Sequence, residues 1–167
     1  QDDDRTVSVR MASLIFVDQA VRQIPVDFDP QKVSEKDTLR RIEVLDLIEN
    51  GVIHSGRNLV YAAFIFQHGD CSAHYQFANR LAQIAMEAGY TDAKWIYAAS
   101  LDRYLMSIGK LQKYGTQYSW IEGEYQLYPV DSTTTDEERA KYNVPALGAA
   151  MNQKPEGEGS GAIRKTW

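Results

Sequence analysis

Apolar residues recur at intervals of three and four positions along most of the chain, the spacing that places them on one face of an α-helix. Five segments show this pattern, over residues 7–23, 37–49, 59–66, 72–88 and 91–108. Residues that end helices follow several of them, because glycine is favoured just past the last helical turn. The pattern therefore predicts a mainly α fold with about five helices around one core.

The second segment carries an apolar stripe. Its members are Leu39, Ile42, Leu45 and Ile48. Residues three or four apart lie on the same side of a helix. We therefore expect this stripe to face the core.

The pattern changes to strand type after Gly115. Aromatic and apolar residues dominate there, with Glu122-Gly123 between them as a turn: Tyr118, Trp120, Tyr125, Leu127 and Tyr128. These features predict a β-hairpin near residues 116–129. A short helix over 136–142 is expected next, capped by Thr134 or Thr135.

We expect one domain over residues 11–150, preceded by an N-terminal extension over 1–10 and followed by a C-terminal tail over 151–167. The tail is rich in Gly, Glu and Lys and lacks periodicity, which is typical of a flexible extension. The chain begins with Gln1 rather than Met, and this indicates that a leader was removed. A signal peptide is the commonest leader, so export is expected, with an organellar transit peptide as an alternative.

Composition excludes several classes of function. The net charge of −5, with no basic run, argues against nonspecific binding of nucleic acid. No apolar run is long enough to span a bilayer. The single cysteine, Cys71, excludes an internal disulfide and is expected to be a small buried or half-buried side chain.

His68 is the first candidate for chemistry, because imidazole moves protons near neutral pH. It ends an apolar segment, and Asp70 or Asp18 could orient its ring. The alternative is a helix-terminal histidine bonded to a carbonyl. The chain has no HExxH or CxxC spacing for a metal, so neither a metal nor another cofactor is predicted.

Asp102-Arg103 is the second candidate, because these charges interrupt an apolar segment and burying a charge is costly unless it is paired. An arginine in such a place commonly binds a carboxylate or another anion. The alternative is an internal salt bridge, for example with Asp18. Arg22 lies four residues after Asp18 and can pair with it on one helix face.

The connection over residues 109–117 is the third candidate. It concentrates glycines with amide, phenol and hydroxyl groups, namely Gln112, Tyr114, Thr116 and Gln117. These groups can hold a polar ligand or a water molecule. They can equally satisfy buried backbone groups at a junction between a helix and a hairpin.

The order of these motifs resembles that of a mostly bacterial domain family of unknown function. The family carries a QHxD, then a DR, then a GxxQxYGTQ motif, and the corresponding residues are 67–70, 102–103 and 109–117. Residues 18–22 are similar to the family's early DQxxR, and Arg139 with 142–147 to its closing element. The resemblance covers roughly residues 11–148 and implies a mainly helical single domain with some exported relatives. It implies no established reaction, and Gly51-Val52 stands where relatives often show a glycine-tryptophan pair.

Two classes of function follow from these candidates. The first is a cofactor-independent enzyme of hydrolase type that acts on a small polar or anionic ligand. His68 would be the acid or base, and Asp18 or Asp70 would orient its ring. Arg22 or Arg103 would hold an oxygen of the ligand. Three residues of the connection over 109–117 would position substrate or water, namely Gln112, Tyr114 and Gln117. This class requires His68, Arg103 and Gln117 to share one cavity. A ligand-binding module without turnover would use the same cavity.

The second class is a non-catalytic structural or interaction subunit. In that case the charged pairs would fix the fold, and the aromatic hairpin and the two tails would contact a protein partner or a second copy of the chain.

Overall fold

Five long helices and a small hairpin form most of the computed structural model, which describes residues 4–22, 29–121 and 124–152. The elements are α1 (Asp4–Ala20), α2 (Pro30–Glu49), α3 (Gly56–Gln67), α4 (Ser72–Glu87), α5 (Ala93–Ser107), β1 (Tyr118–Ile121), β2 (Glu124–Leu127), α6 (Asp136–Lys141) and α7 (Leu147–Met151). The prediction of a mainly α fold with a hairpin is thereby confirmed. None of the helices in these ranges is both long and apolar enough to cross a membrane.

α3 lies at the centre of the fold and packs against α1, α2, α4 and α5. It is the most apolar of the five long helices, and two thirds of its residues are buried. Small buried side chains let its neighbours approach closely, since alanine adds little bulk between helix axes. They are Ala62, Ala63, Ala78, Ala82 and Ala85. One core, to which all five long helices contribute, is the result.

The helix ends agree with several local signals in the sequence. Gly89 and Gly109 follow the ends of α4 and α5 with positive φ angles, as the predicted stops require. Thr135 caps α6 by accepting a hydrogen bond from the Glu138 backbone N–H. Cys71, rather than Ser72, is the N-cap residue of α4, and its side chain is exposed.

The hairpin has the predicted place and is antiparallel. Tyr118 lies opposite Leu127. The predicted turn at Glu122-Gly123 lies outside the described residues, as do residues 153–167 of the predicted tail and residues 1–3 of the predicted N-terminal extension. α1 already begins at Asp4, and Val7 belongs to the core.

The expectation for the apolar stripe of α2 was wrong at Leu39, Ile42 and Leu45, which are exposed, whereas Ile48 packs against the core. Leu39 and Ile42 are 66% and 60% exposed. The face of α2 turned toward the protein instead carries Asp37, Arg40 and Arg41, all buried. Charged side chains can take this position because partners from other helices neutralise them, which removes most of the cost of burial.

Substitutions on the two faces of α2 test this orientation. Leu39→Gln is expected to change the free energy of unfolding by less than about 0.5 kcal/mol, because the side chain is already in water. Val44→Ala should cost about 2 kcal/mol, because it removes two methyl groups from a fully buried position. Urea denaturation measures both. The reverse ranking would mean that the apolar stripe faces the core.

Candidate functional site

A group of buried charges lies where α1, α2 and the end of α3 meet. We call Asp18, Arg22, Asp37, Arg40, His68 and Arg103 the His68 cluster. His68 caps the C-terminus of α3, and its Nδ1 is 2.8 Å from Oδ2 of Asp18 near the end of α1. Both side chains are almost fully buried. Of the two predicted partners of His68, the structure therefore places Asp18 against the ring.

Two arginines and two aspartates alternate beside this pair. Nη1 of Arg22 lies 3.1 Å from Asp18, and Nη2 of Arg22 lies 2.6 Å from Asp37. Arg40 reaches the same two carboxylates, with Nε 3.3 Å from Asp18 and a hydrogen bond from Nη2 to Asp37. Each arginine thus bridges α1 and α2 through both aspartates, and their four charges cancel.

These neighbours favour a neutral His68 next to an ionised Asp18. Burial alone would raise the pKa of Asp18, but His68, Arg22 and Arg40 together outweigh burial and hold this pKa below its usual range. Burial is also the largest influence on His68, where it lowers the pKa. The bond to Asp18 opposes this, and the charges of Arg22 and Arg103 add to it. The neutral ring donates Nδ1–H to Asp18, which leaves the lone pair of Nε2 to accept a proton.

Arg103 is half-buried and acts on His68 through its charge, whereas its sequence neighbour Asp102 binds the loop over residues 109–117. The Arg103 charge lowers the pKa of His68, and Arg103 also interacts with Tyr75 of α4 and with Arg22. Burial lowers the pKa of the Arg103 guanidinium itself. Within residues 4–22, 29–121 and 124–152, its buried Nε has no hydrogen-bond partner and no carboxylate lies within 4.0 Å of the guanidinium. The predicted salt bridge between Arg103 and Asp18 does not form there.

Asp70, predicted as a second catalytic carboxylate, has other partners. Oδ1 of Asp70 lies 3.0 Å from Nδ1 of His74, and Oδ2 lies 3.6 Å from Nη2 of Arg41. Arg41 also donates to the backbone oxygen of His68 at 3.2 Å. Asp70 therefore has no ion pair with the His68 ring. Within the described residues it is linked to His68 through Arg41, which pairs with Asp70 and donates to the His68 backbone oxygen.

The ligand atoms of Asp70, Cys71 and His74 all lie within 4.8 Å of one another, so this group could hold a metal ion. Asp70 and Cys71 are exposed. Asp70 already bonds to His74 and pairs with Arg41. Cys71 lies in this group with His74.

The loop over residues 109–117 forms a second polar network around the carboxylate of Asp102. We call Asp102, Gln112, Tyr114, Thr116, Gln117 and Arg139 the loop network. Asp102 accepts hydrogen bonds from the backbone N–H groups of Lys113, Tyr114 and Thr116 and from the Thr116 hydroxyl, at 2.7–2.9 Å. Burial raises the pKa of Asp102 and these four donors oppose that rise, so the site is built for the ionised carboxylate.

Gln112 ties the loop to the hairpin. Its Nε2 donates to the backbone oxygens of Gln117 and Tyr128, and its Oε1 accepts from the Gln117 N–H at 2.7 Å. Gln117 in turn donates to Thr116 at 2.9 Å and to the Ala99 carbonyl at 3.5 Å. No hydrogen bond or ion pair among the described residues joins Gln117 to the His68 cluster. Arg103 is near enough to His68 for its charge to lower the His68 pKa, whereas Gln112 and Gln117 belong to the loop network.

Tyr114 and Gly115 pack against Arg139 of α6. The Tyr114 ring is buried against Tyr142, and burial and Tyr142 raise the pKa of its phenol. Arg139 donates to the Tyr114 backbone oxygen and is itself fully buried. Gly115 has a φ of 76°, and a Cβ there would lie 3.0 Å from Nη1 of Arg139. Glycine thus allows both the turn and the approach of the guanidinium.

Asp37 and Arg40 were not among the site residues predicted from the sequence. A signal was present, because Arg40 and Arg41 lie three and four residues after Asp37 and therefore share its helix face. The apolar stripe on the other side of α2 was given more weight. Tyr75 was also missed, and nothing in the local sequence marks it.

The electrostatics of His68 give a prediction for its titration. Its midpoint should lie below the ordinary value of about 6.5, and Arg103→Gln should raise it by removing a nearby positive charge. The unfolded chain then binds this proton more readily than the folded one, so stability should fall as the pH drops from about 6.5 toward the folded pKa. NMR of the imidazole resonances measures the midpoint. Arg80→Gln, on the exposed side of α4, is the matched control and should leave it unchanged. A midpoint at or above 6.5, or no response to Arg103→Gln, contradicts the arrangement.

Comparisons of the chain with protein-family models, with curated proteins and with solved structures found no match. The chemistry of the His68 cluster therefore has to supply the argument for function.

Proposed function

We propose that this chain is a cofactor-independent acid–base enzyme of hydrolase type, with His68 as the general base. One observation carries the proposal, namely the buried contact of 2.8 Å between Nδ1 of His68 and Asp18. The charge of Arg103, which has no carboxylate partner among the described residues, also acts on this ring. A carboxylate on one ring nitrogen fixes the tautomer and makes the other nitrogen a better base.

The residues of the cluster have separate tasks in such a reaction. Nε2 of His68 accepts a proton from water, and the hydroxide formed attacks an electrophilic carbon or phosphorus of the substrate. Asp18 stabilises the imidazolium, and Arg103 stabilises the negative oxygen that develops. His68 then returns the proton to the leaving group, so the ring ends neutral as it began.

Arg22 and Arg40 are positioning residues in this scheme. They hold Asp18 in place and keep it ionised, since both guanidinium groups lie against its carboxylate. A low pKa of His68 also suits the task, because the neutral base then predominates at neutral pH.

The sequence-based hypothesis also required Gln117 to share a cavity with His68 and Arg103. The amide of Gln117 bonds to Ala99 and Thr116 in the loop network, so the proposal omits that requirement and is limited to His68, Asp18 and Arg103. The substrate-positioning roles of Gln112, Tyr114 and Gln117 stay predictions.

A purely structural role explains the cluster less well. Arg22 and Arg40 fit such a role, because each is neutralised where it is buried. Arg103 fits it less well. Arg103 is half-buried, its buried Nε has no hydrogen-bond partner, and no carboxylate among the described residues pairs with it. Even a partial loss of hydration is costly for an unpaired charge. Groups that cost stability in this way concentrate at functional sites.

The motif resemblance supports the same group of residues. We propose that the chain is related to the bacterial domain family of unknown function, because its QHxD and DR motifs supply His68 and Arg103 and its YGTQ loop binds Asp102. Export also stays a proposal.

Substitution of His68 tests the enzyme. A panel of chromogenic carboxylic and phosphoric esters is offered to the wild-type protein, and His68→Gln should lower kcat by about a hundredfold or more on any ester that is turned over. Glutamine keeps a donor for Asp18, which protects the fold. In the wild type, kcat/KM should fall as the pH drops below the His68 pKa, because only the neutral ring is a base.

His54→Gln is the matched control, because His54 is exposed and pairs with Asp4 far along the chain from the cluster. Circular dichroism shows that each variant is folded. Full activity of folded His68→Gln, or no turnover of any ester by the wild type, contradicts the proposal.

A specific observation favours a second candidate, a non-catalytic interaction subunit. The outer faces of α1 and α2 expose large apolar side chains, namely Val9, Phe16, Leu39 and Ile42. The two helices run antiparallel, because Arg10 pairs with Glu43 while Arg22 pairs with Asp37. Apolar patches of this kind mark interaction surfaces, and the partner proposed here is a second copy of the chain.

Self-association tests this candidate. Light scattering should show a dimer that Phe16→Asp converts to a monomer, because a buried charge would be unpaired at the contact. Gln76→Asp, on an exposed position of α4 rather than of α1 or α2, is a control for added charge. A wild-type protein that is monomeric at high concentration contradicts the second candidate.

A further inference from the structure

We infer that the ligand of the His68 cluster carries an oxyanion, a carboxylate or a phosphate group, and that Arg103 is the residue that anchors it. The inference rests on the proposed function, since it names the substrate class of the same site. It gives Arg103 a role different from that of the other buried arginines.

Arg103 differs from the other arginines that are not exposed. In the described parts of the chain the arginines that are not exposed are Arg22, Arg40, Arg41, Arg103 and Arg139. Four of them lie within 4.0 Å of at least one carboxylate, and Arg103 does not. Arg103 is therefore the half-buried arginine for which the described residues provide no carboxylate, and its side chain interacts with Tyr75 instead.

The carboxylates of Asp102 and Asp18, which could have paired with Arg103, bind other groups. Asp102 precedes Arg103 in the chain, but its two oxygens accept four hydrogen bonds from the loop. Asp18 is occupied by His68, Gln19 and Arg22. Both nearby acids are thus committed to other partners, and a negative group that meets Arg103 has to come from outside the described protein.

The His68 cluster as a whole carries an excess of positive charge. Arg22, Arg40 and Arg103 face Asp18 and Asp37, so three positive charges stand against two negative ones when His68 is neutral. The charges of Arg22 and Arg103 are close enough that Arg22 lowers the Arg103 pKa. Two guanidinium groups that repel each other are stabilised by an anion between them. The planar fork of Arg103 can bind two oxygens of a carboxylate or phosphate at once.

An anion bound to Arg103 would change the titration of His68. Tyr75 lies beside Arg103 and donates to the Gly69 backbone oxygen at 2.9 Å, next to His68 in the chain. Because the charge of Arg103 already acts on His68, the charge of an oxyanion bound to Arg103 would act on the ring as well. Negative charge there stabilises the imidazolium and raises the pKa of His68. The His68 ring thus reports on anion binding without any turnover.

The experiment titrates His68 by NMR in the full chain with inorganic phosphate or acetate as probes, at an ionic strength kept constant with chloride. In the wild type, at least one of the two probes should raise the His68 midpoint by about one pH unit in a saturable manner. Phosphate alone indicates a phosphate-bearing substrate, and acetate alone indicates a carboxylate. A response to both indicates that the site reads the oxyanion charge without distinguishing its source.

Two substitutions at Arg103 make the result specific. Arg103→Gln should abolish the saturable response, and Arg103→Lys should keep part of it, since the ammonium retains the charge but loses the fork. Arg80→Gln should respond like the wild type. The inference is overturned if neither probe moves the wild-type midpoint, or if Arg103→Gln responds as strongly as the wild type.

The same data separate this inference from the enzyme proposal. If His68→Gln abolishes the hydrolysis of a neutral ester while both anions leave His68 unaffected, the acid–base chemistry stands and the anion site is refuted. If an anion binds through Arg103 to a protein that hydrolyses no ester, the anion site stands and the enzyme is refuted.

Discussion

The carboxylate of Asp18 is the contact on which the arrangement of α1, α2 and α3 depends. It accepts from the His68 ring and pairs with Arg22 and Arg40. A buried carboxylate with several cationic partners costs far less than one alone, and removal of it would leave Arg22 and Arg40 to share the single carboxylate of Asp37. This one group explains why α2 turns a charged face inward and an apolar face outward.

Asp102 and Arg103 divide the polar groups of the molecule into two networks. Successive residues on a helix point about 100° apart, so adjacent side chains of α5 reach different neighbours. Asp102 binds the loop over residues 109–117, which Arg139 holds from the other side. Arg103 acts on His68 through its charge. The loop therefore fixes the end of the helix that presents Arg103, and its influence on the site runs through the position of α5.

Local signals predicted much of the fold. The hairpin and the glycines that follow α4 and α5 depend on backbone preferences of a few neighbouring residues, and all appear where expected. The cap at Thr135 likewise involves residues three positions apart. The start of α2 at Pro30 was missed because its first two turns carry few apolar residues, although Asp29 followed by proline is a helix-start signal.

The candidate site was predictable in its members more than in its contacts. His68, Asp18, Arg22 and Arg103 were all selected from the sequence, and Asp18 and Asp70 were left as alternative partners of His68. The choice between them could not be made from the sequence, because Asp70 is two residues from His68 and Asp18 is fifty. Proximity in the chain favours Asp70, but the ring of a helix-terminal histidine points back across the helix layer, where α1 brings Asp18.

The sequence by itself determined which segments form helices and turns and which residue types are available for chemistry, because these properties depend on interactions within a few positions. The tertiary structure alone decided which charges are neutralised. Pairs such as His68 with Asp18 and Arg22 with Asp37 join residues far apart in the chain, and their energy depends on burial and distance. For the same reason, the tertiary structure alone shows that the DR motif separates into one aspartate that holds a loop and one arginine that no carboxylate of the described residues neutralises.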